Sequence, residues 1–416
     1  MSRKTSAAIE EQGLADDWIS TTLGNVLELK RGYDLPKTSR QNGLIPVISS
    51  SGVSGTHSEI RVKGPGVVTG RYGTIGKVYF IKEDFWPLNT TLYVKDFKGN
   101  DVRFISYFLR QIDFGSCSDK AAVPGVNRNH LHMVNVSIPP LPEQKAIAHV
   151  LGTLDDKIEL NRKMNETLET MARALFKSWF IDFDPVHAKA AGRQPAGMDA
   201  ATAFLFPDSF ESSPLGPIPK GWRVGVVGED FNLTMGQSPP GETYNEVGEG
   251  IPFFQGRTDF GFRYPSPRIY CTAPSRFANA GDSLVSVRAP VGDINMAMQK
   301  CCVGRGVAAI RHKSDSRSYT YYAMRSLTDI FQNFEAEGTV FGCINRDDFK
   351  RIKLISPPTQ LISAFEKTAF PIDQAIENQI LQSRTLSNTR DSLLPKLLSG
   401  DLRISNIWNL TETSHG

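Results

Sequence analysis

The chain has 416 residues, 22% of them charged and 40% hydrophobic, an ordinary globular composition that excludes a wholly disordered or coiled-coil-only protein. Its 47 Lys+Arg against 44 Asp+Glu leave only +3, so no bulk polycation coats nucleic acid nonspecifically and any basic surface is local. At roughly 150 residues per domain, this length predicts two or three folding units.

Residues 1–17 form a polar extension with no signal-peptide core, and a first globular domain spans 18–142. A long helix follows over 143–183, with apolar or small residues at Leu151, Leu154, Ile158, Leu168, Ala172, Leu175 and Trp179 and with Asn161 and Asn165 between them, a heptad seam with a polar middle. Residues 184–221 are rich in Ala, Gly, Pro and Ser and read as a linker, partly ordered over FLFPDSF. A second globular domain spans 222–358. A second helix covers 359–400, with its seam at Ala369, Ile372, Ile376, Gln379, Ser383, Leu386, Arg390, Leu393 and Leu397, and 401–416 form a tail. Proline pairs at 139–140 and 357–358 suit helix entry, and Pro395 predicts a kink near the end of the second helix. About 38 helical residues give a rod of roughly 57 Å.

The second half repeats the first. VNRNHLHMVNVSIPP at 126–140 lies over INRDDFKRIKLISPP at 344–358 without a gap, and the same register pairs Asp155 with Asp373, Glu159 with Glu377 and Leu175 with Leu393. Upstream, Trp18 and Trp222 open the two halves, and Ile-Pro steps follow at 45–46 and 251–252. The fold class is therefore α+β: two mixed α/β domains with two long helices packed antiparallel as a stalk, a pseudo-twofold repeat.

Catalytic signatures are missing. HExxH, GxSxG, Walker A and Asn/Asp-Pro-Pro-aromatic motifs are all absent, and GRYGTIGKV at 70–78 lacks both phosphate-loop and dinucleotide spacing, so its glycines read as hairpin chemistry. The five cysteines at 117, 271, 301, 302 and 343 form no CxxC pair and no zinc spacing, so no metal site is expected; His130 and His132 read as surface or satisfied core histidines. A reduced cytoplasmic protein fits, and no apolar run reaches the roughly 18 residues that cross a bilayer. Residues 18–140 carry 15 Lys+Arg against 9 Asp+Glu and residues 222–358 carry 16 against 14, so the basic excess lies in the globular domains.

Three stretches carry a family resemblance. IPPLPEQKAIAHVLGTLDDKIELNRKMNETLETMARALFKSWFIDFDPVHAKAAGR at 138–193 resembles the central region of type I restriction-modification specificity subunits (HsdS). LFPDSFESSPLGPIPKGW at 205–222 resembles the entry to their second target-recognition domain, and TRDSLLPKLLSGDLRI at 389–404 their C-terminal region. The resemblance implies a non-catalytic subunit of a multisubunit methyltransferase and ATP-dependent endonuclease. Each domain would read one half of a bipartite double-stranded DNA target, while the helices set the spacing and dock partners. Those partners would be methyltransferase subunits, two of them, and restriction/translocase subunits. S-adenosylmethionine, ATP and Mg would belong to them, with no cofactor on this chain. An orphan DNA-binding or scaffold protein is the alternative.

Gly-flanked and turn-like settings make Arg71, Tyr72, Lys77 and Asn89 candidates for DNA contact in the first domain, with Arg257, Arg288 and Arg305 in the second. Leu151, Leu154, Ile158, Leu168, Leu175, Ile372, Ile376, Leu386, Leu393 and Leu397 are candidates for helix–helix or partner docking. The second arm has PPTQLISAF where the first has LPEQ, so the contacts at the two helix starts are expected to differ.

Overall fold

The computed structural model describes residues 17–115, 118–119, 125–336 and 342–404. Most of the N-terminal extension, Cys117 and the tail beyond Ile404 lie outside the described residues. The chain divides into two compact units, one of residues 1–161 with 381–416 and one of 162–380.

In the first unit, Ile19–Thr22 pairs antiparallel with Asn135–Ile138, so the ends of the domain are stitched together. A four-stranded sheet runs in the order Glu28–Arg31, Thr91–Asp96, Gly66–Gly70, Val78–Ile81. Its inner strand, GVVTG, is buried at every residue, as a strand covered on both faces must be. A smaller sheet holds Gly52–His57, Ile45–Ser49 and Trp86–Pro87, the last two parallel. The helix Val102–Phe108 packs on this framework, capped by the Asp101 carboxylate, which accepts the Phe104 N–H at 2.8 Å. Leu23, Val67, Phe104, Ile147, Leu151, Leu397 and Ile404 share one core.

The second unit repeats this plan. Arg223–Val226 pairs with Lys353–Ser356, and a four-stranded sheet runs Phe231–Met235, Val307–His312, Ser283–Val287, Val291–Met296 in the same spatial order. Ile251–Phe254 lies parallel to Cys301–Val303, as Ile45–Ser49 lies parallel to Trp86–Pro87. The repeat's identical asparagines do identical work: Asn127 and Asn345 each cap a short helix with the side-chain oxygen. The fold class read from the sequence, α+β with two mixed domains and two long antiparallel helices, is the one observed.

The long helices are Leu141–Phe180 and Thr359–Ser399. Within the first unit they run antiparallel, Asp155 meeting Arg390 at 2.6 Å and Asn161 donating to Gln382 at 2.8 Å. Within the second unit the same sense holds, and Phe365 lies against Phe176 and Phe180 with ring centroids 5.6 and 5.4 Å apart. Of the seam residues, Leu151, Ile376 and Leu397 are buried, whereas Leu154, Ile158, Leu168, Leu175, Ile372, Leu386 and Leu393 are half-buried. The second helix stays helical through Pro371 and Pro395 to Ser399.

The stretch expected to be a linker is folded. Residues 184–221 contain helices Asp184–Ala190 and Ala200–Phe204 and a hairpin of Phe210–Ser213 with Gly216–Pro219. Val186, Phe206 and Ile218 are buried with Trp222 in the core of the second unit. Its Ala, Gly and Pro content marked turns correctly, but a few well-spaced large apolar residues suffice to anchor such a segment.

The two helix starts differ as the sequence implied. Glu143 accepts the Trp18 Nε1–H at 3.1 Å and the Arg403 Nε–H at 2.6 Å. Its repeat partner is Leu361, fully buried, and Trp222 Nε1 has no hydrogen-bond partner among the described residues. An apolar contact thus replaces an ionic one.

Each unit also has a histidine, His132 or His312, that accepts a backbone N–H on an unprotonated ring nitrogen. The Leu29 N–H donates to His132 Nε2 at 3.0 Å, and the Ser314 N–H donates to His312 Nδ1 at 3.1 Å, bonds that a protonated nitrogen could not accept. Burial, helped by neighbouring Arg128 and Lys98 in one case and Arg223 and Lys313 in the other, lowers both pKa values. The unfolded chain therefore binds protons more readily than the folded one near and below pH 6.5. The stability these bonds contribute is intact above that pH and is lost as pH falls through the folded values. Denaturation midpoints are expected to drop between pH 7.5 and 5, and to drop less in an H132N/H312N variant; identical pH profiles would refute the assignment.

Candidate nucleic-acid interface

The first-domain candidates converge. Arg71 and Tyr72 emerge from the buried strand Gly66–Gly70, and both donate their backbone N–H to Thr90 O, at 2.9 and 3.3 Å. Asn89 is the neighbour of Thr90 and donates its own N–H to Tyr33 O at 2.9 Å. The Gly70 N–H closes the loop onto Lys77 O at 3.3 Å, so 70–77 is a hairpin-like turn and not a phosphate cradle. The Arg71 guanidinium stacks 4.5 Å from the Tyr72 ring centre, and the exposed Lys77 ammonium lies 5.7 Å from that of Tyr79. The Asn89 carboxamide donates to Asp34.

Three residues of this surface escaped the sequence reading. Arg61 lies over both Trp86 and Tyr33, at 4.7 and 5.6 Å, and Lys30 donates to the Tyr33 hydroxyl at 3.5 Å. Tyr33 shares a 3.0 Å hydroxyl contact with Tyr93. That bond, with Lys30 and Arg61 alongside, lowers the Tyr33 pKa against the opposing effect of burial, while burial raises Tyr93. No local motif marks this cluster, because its members come from separate strand and loop segments.

The second-domain candidates meet around one glycine. The Gly306 N–H donates to Gln255 O at 3.0 Å, and Gly306 O accepts the Val287 N–H at 2.9 Å. Arg305, Arg257 and Arg288 are therefore carried on three touching loops. The glycines are required by close packing: a Cβ on Gly304 would stand 2.9 Å from the Phe253 ring, and one on Gly306 2.5 Å from Gln255 O. Arg257 is tied to Asp293 in an exposed ion pair. Arg288 and Arg305 are exposed and have no ion-pair partner among the described residues.

The docking candidates divide by burial. Leu151, Ile376 and Leu397 are at most 1% exposed and pack the units internally, so they present nothing to a partner. Met164 and Met171, seven residues apart on one face of the first long helix, are 42% and 55% exposed and were not singled out.

Among the described residues, no group of three or more His, Cys, Asp and Glu could hold a metal ion. Cys301 and Cys302 are buried strand residues, and burial pushes the Cys301 thiol up to about 12. No described helix is long and apolar enough to cross a membrane.

Two copies of one sheet-and-loop domain, each with a cationic rim, define a tandem α+β protein that presents two matching sets of loops. A family profile for the type I restriction modification DNA specificity domain matches twice, at residues 15–170 and 219–383. A Methanocaldococcus jannaschii relative described as the MjaX type I restriction enzyme specificity subunit is 32% identical over 283 residues, 67% of this chain. The chain spans only 62% of that relative's length. The HindI specificity subunit of Haemophilus influenzae is 26% identical over 341 residues, 68% of this chain and 72% of its own. The S subunit of a type I system from M. genitalium shares the fold, with a TM-score of 0.60 at 17% identity over 93% of this chain and 98% of that one. The chain belongs to the type I restriction-modification specificity family, HsdS.

Proposed function

We propose that this chain selects the DNA target of a type I restriction-modification assembly, each unit reading one half of a bipartite double-stranded site. One observation carries the reading: matching backbone hydrogen bonds hold equivalent loops that carry Tyr72 and Asn89 in one unit and Arg288 and Arg305 in the other, with Arg71 and Lys77 beside the first pair and Arg257 beside the second. Lys and Arg at such rims supply phosphate contacts and hence affinity; a few side chains reaching base edges supply specificity. The long helices set the spacing between half-sites and dock methyltransferase subunits, two per complex, with Met164 and Met171 among the exposed apolar contacts. Methyl transfer from S-adenosylmethionine, and ATP- and Mg-dependent restriction, belong to partner subunits.

Modification-sensitive sequencing of genomic DNA tests this directly. Cells making the chain with its methyltransferase partner are expected to show a bipartite methylated motif that vanishes when this chain alone is removed. A methylation pattern indifferent to the chain would favour an orphan DNA-binding or scaffold role. Deleting four residues, about one helical turn, within 155–175 is expected to change the spacer between half-sites and leave their sequences intact. Altered half-sites with an unchanged spacer in a folded variant would defeat the ruler model.

A further inference from the structure

Asn89 and Arg305 stand at one and the same backbone position of the duplicated domain. Four pairs of hydrogen bonds establish the match. The Leu88 N–H reaches Ile48 O at 2.8 Å as that of Gly304 reaches Phe254 O at 2.9 Å. The Thr91 N–H reaches Leu88 O at 2.9 Å as that of Val307 reaches Gly304 O at 3.0 Å. Thr91 O accepts from Gly32 at 3.1 Å as Val307 O accepts from Gly236 at 3.0 Å. Arg71 donates to Thr90 as Val287 donates to Gly306, both at 2.9 Å. The neighbouring Tyr72 and Arg288 match as well, bridging Gly125 and Cys343.

The framework is thus common and the side chains are not. Asp34 accepts one hydrogen of the Asn89 Nδ2 and so fixes which way the carboxamide faces. The second Nδ2 hydrogen and Oδ1 remain, one donor beside one acceptor, which is the complement of adenine N7 and N6. Arg305 projects from between two closely packed glycines with its guanidinium unengaged by any described carboxylate, a fork of donors that complements guanine O6 and N7. Arg288 adds a second unpaired cation beside it, where the first unit has the Tyr72 ring.

We propose that Asn89 and Arg305 are specificity-determining residues, Asn89 selecting adenine in one half-site and Arg305 selecting guanine in the other. The inference rests on the DNA-reading role proposed above. Its test is base selection from a randomised bipartite duplex library, using the full chain complexed with methyltransferase subunits. R305N and R305K are compared with the parent, and N89R is run in parallel. Loss of guanine preference by roughly tenfold or more at one position, with the opposite half-site unchanged, is expected for both Arg305 variants. R305K keeps the charge but not the fork, so its salt dependence should match the parent's. N89R should lose an adenine in the other half-site. Uniform weakening of all sequences in R305N, with base preferences intact, would make Arg305 a phosphate contact and overturn the proposal, as would no change at all. A parent complex that selects no bipartite sequence would instead bring down the DNA-reading role itself.

Discussion

Methionine at position 263 is expected to cost the second unit about 3–5 kcal/mol of stability. Arg263 is 1% exposed and holds carboxylates from both long helices, Glu169 at 2.5 Å and Asp373 at 3.0 Å, through one terminal nitrogen. The same nitrogen donates to the Tyr322 hydroxyl at 2.5 Å, and the guanidinium lies 3.9 Å from the Tyr321 ring centre. Burial alone would lower its pKa, but Tyr321, Asp373, Tyr322 and Glu169 more than reverse that effect, so the group stays cationic. Removing it strands the buried Asp373 carboxylate, while Glu169 keeps the Arg325 guanidinium at 3.4 Å, and the stranded charge accounts for most of the loss. Thermal unfolding of the unit should fall on the order of 10 °C. The double variant R263M/D373N, which leaves Glu169 with Arg325 and no buried acid stranded, is expected to recover most of the difference. R263M within 1 kcal/mol of the parent would show that Asp373 does not depend on Arg263 for its charge.

Alanine at position 365 is expected to cost a similar 3–5 kcal/mol for a different reason. Phe365 is fully buried, with ring centroids 5.6 Å from Phe176, 5.9 Å from Trp179, 5.4 Å from Phe180 and 6.2 Å from Tyr322. Truncation removes the transfer free energy of a whole ring and leaves a cavity walled by rigid rings that collapse poorly. Leucine should be tolerated at less than about 2 kcal/mol, since it refills much of the volume. Its repeat partner Ile147 is buried in the core of the first unit, and truncation there is expected to cost about 2–5 kcal/mol. Chaotrope unfolding of F365A and F365L separates the two explanations: equal losses would mean that ring stacking, rather than filled volume, holds the helices.

The long helices were legible because the 3.6-residue period of a helix imposes a visible spacing on whatever it buries. Asn127 and Asn345 were legible as repeat partners, and the structure shows why both are asparagine. The exchange of Glu143 for Leu361 was visible too, although its consequence for Trp222 was not. The 184–221 segment misled because linker-like composition says little about whether a Phe206 or an Ile218 finds a core.

The site was only half legible. Glycine-flanked arginines stood out, yet Arg61, Lys30 and Tyr33 lie in unremarkable strand and loop text and meet only through sheet pairing. Arg257 and Arg305 looked alike in sequence, but Asp293 engages one and leaves the other unpaired.

The sequence by itself determined the duplication, the α+β class, the two long helices and the family, since all of these depend on periodicity and on residue identity along the chain. Tertiary structure alone decided that Asn89 and Arg305 share a position, that Arg263 clasps both helices in the second unit, and which cations remain unpaired. Those facts depend on which strands and loops are neighbours. Contacts between residues far apart in the chain leave no periodic trace in it.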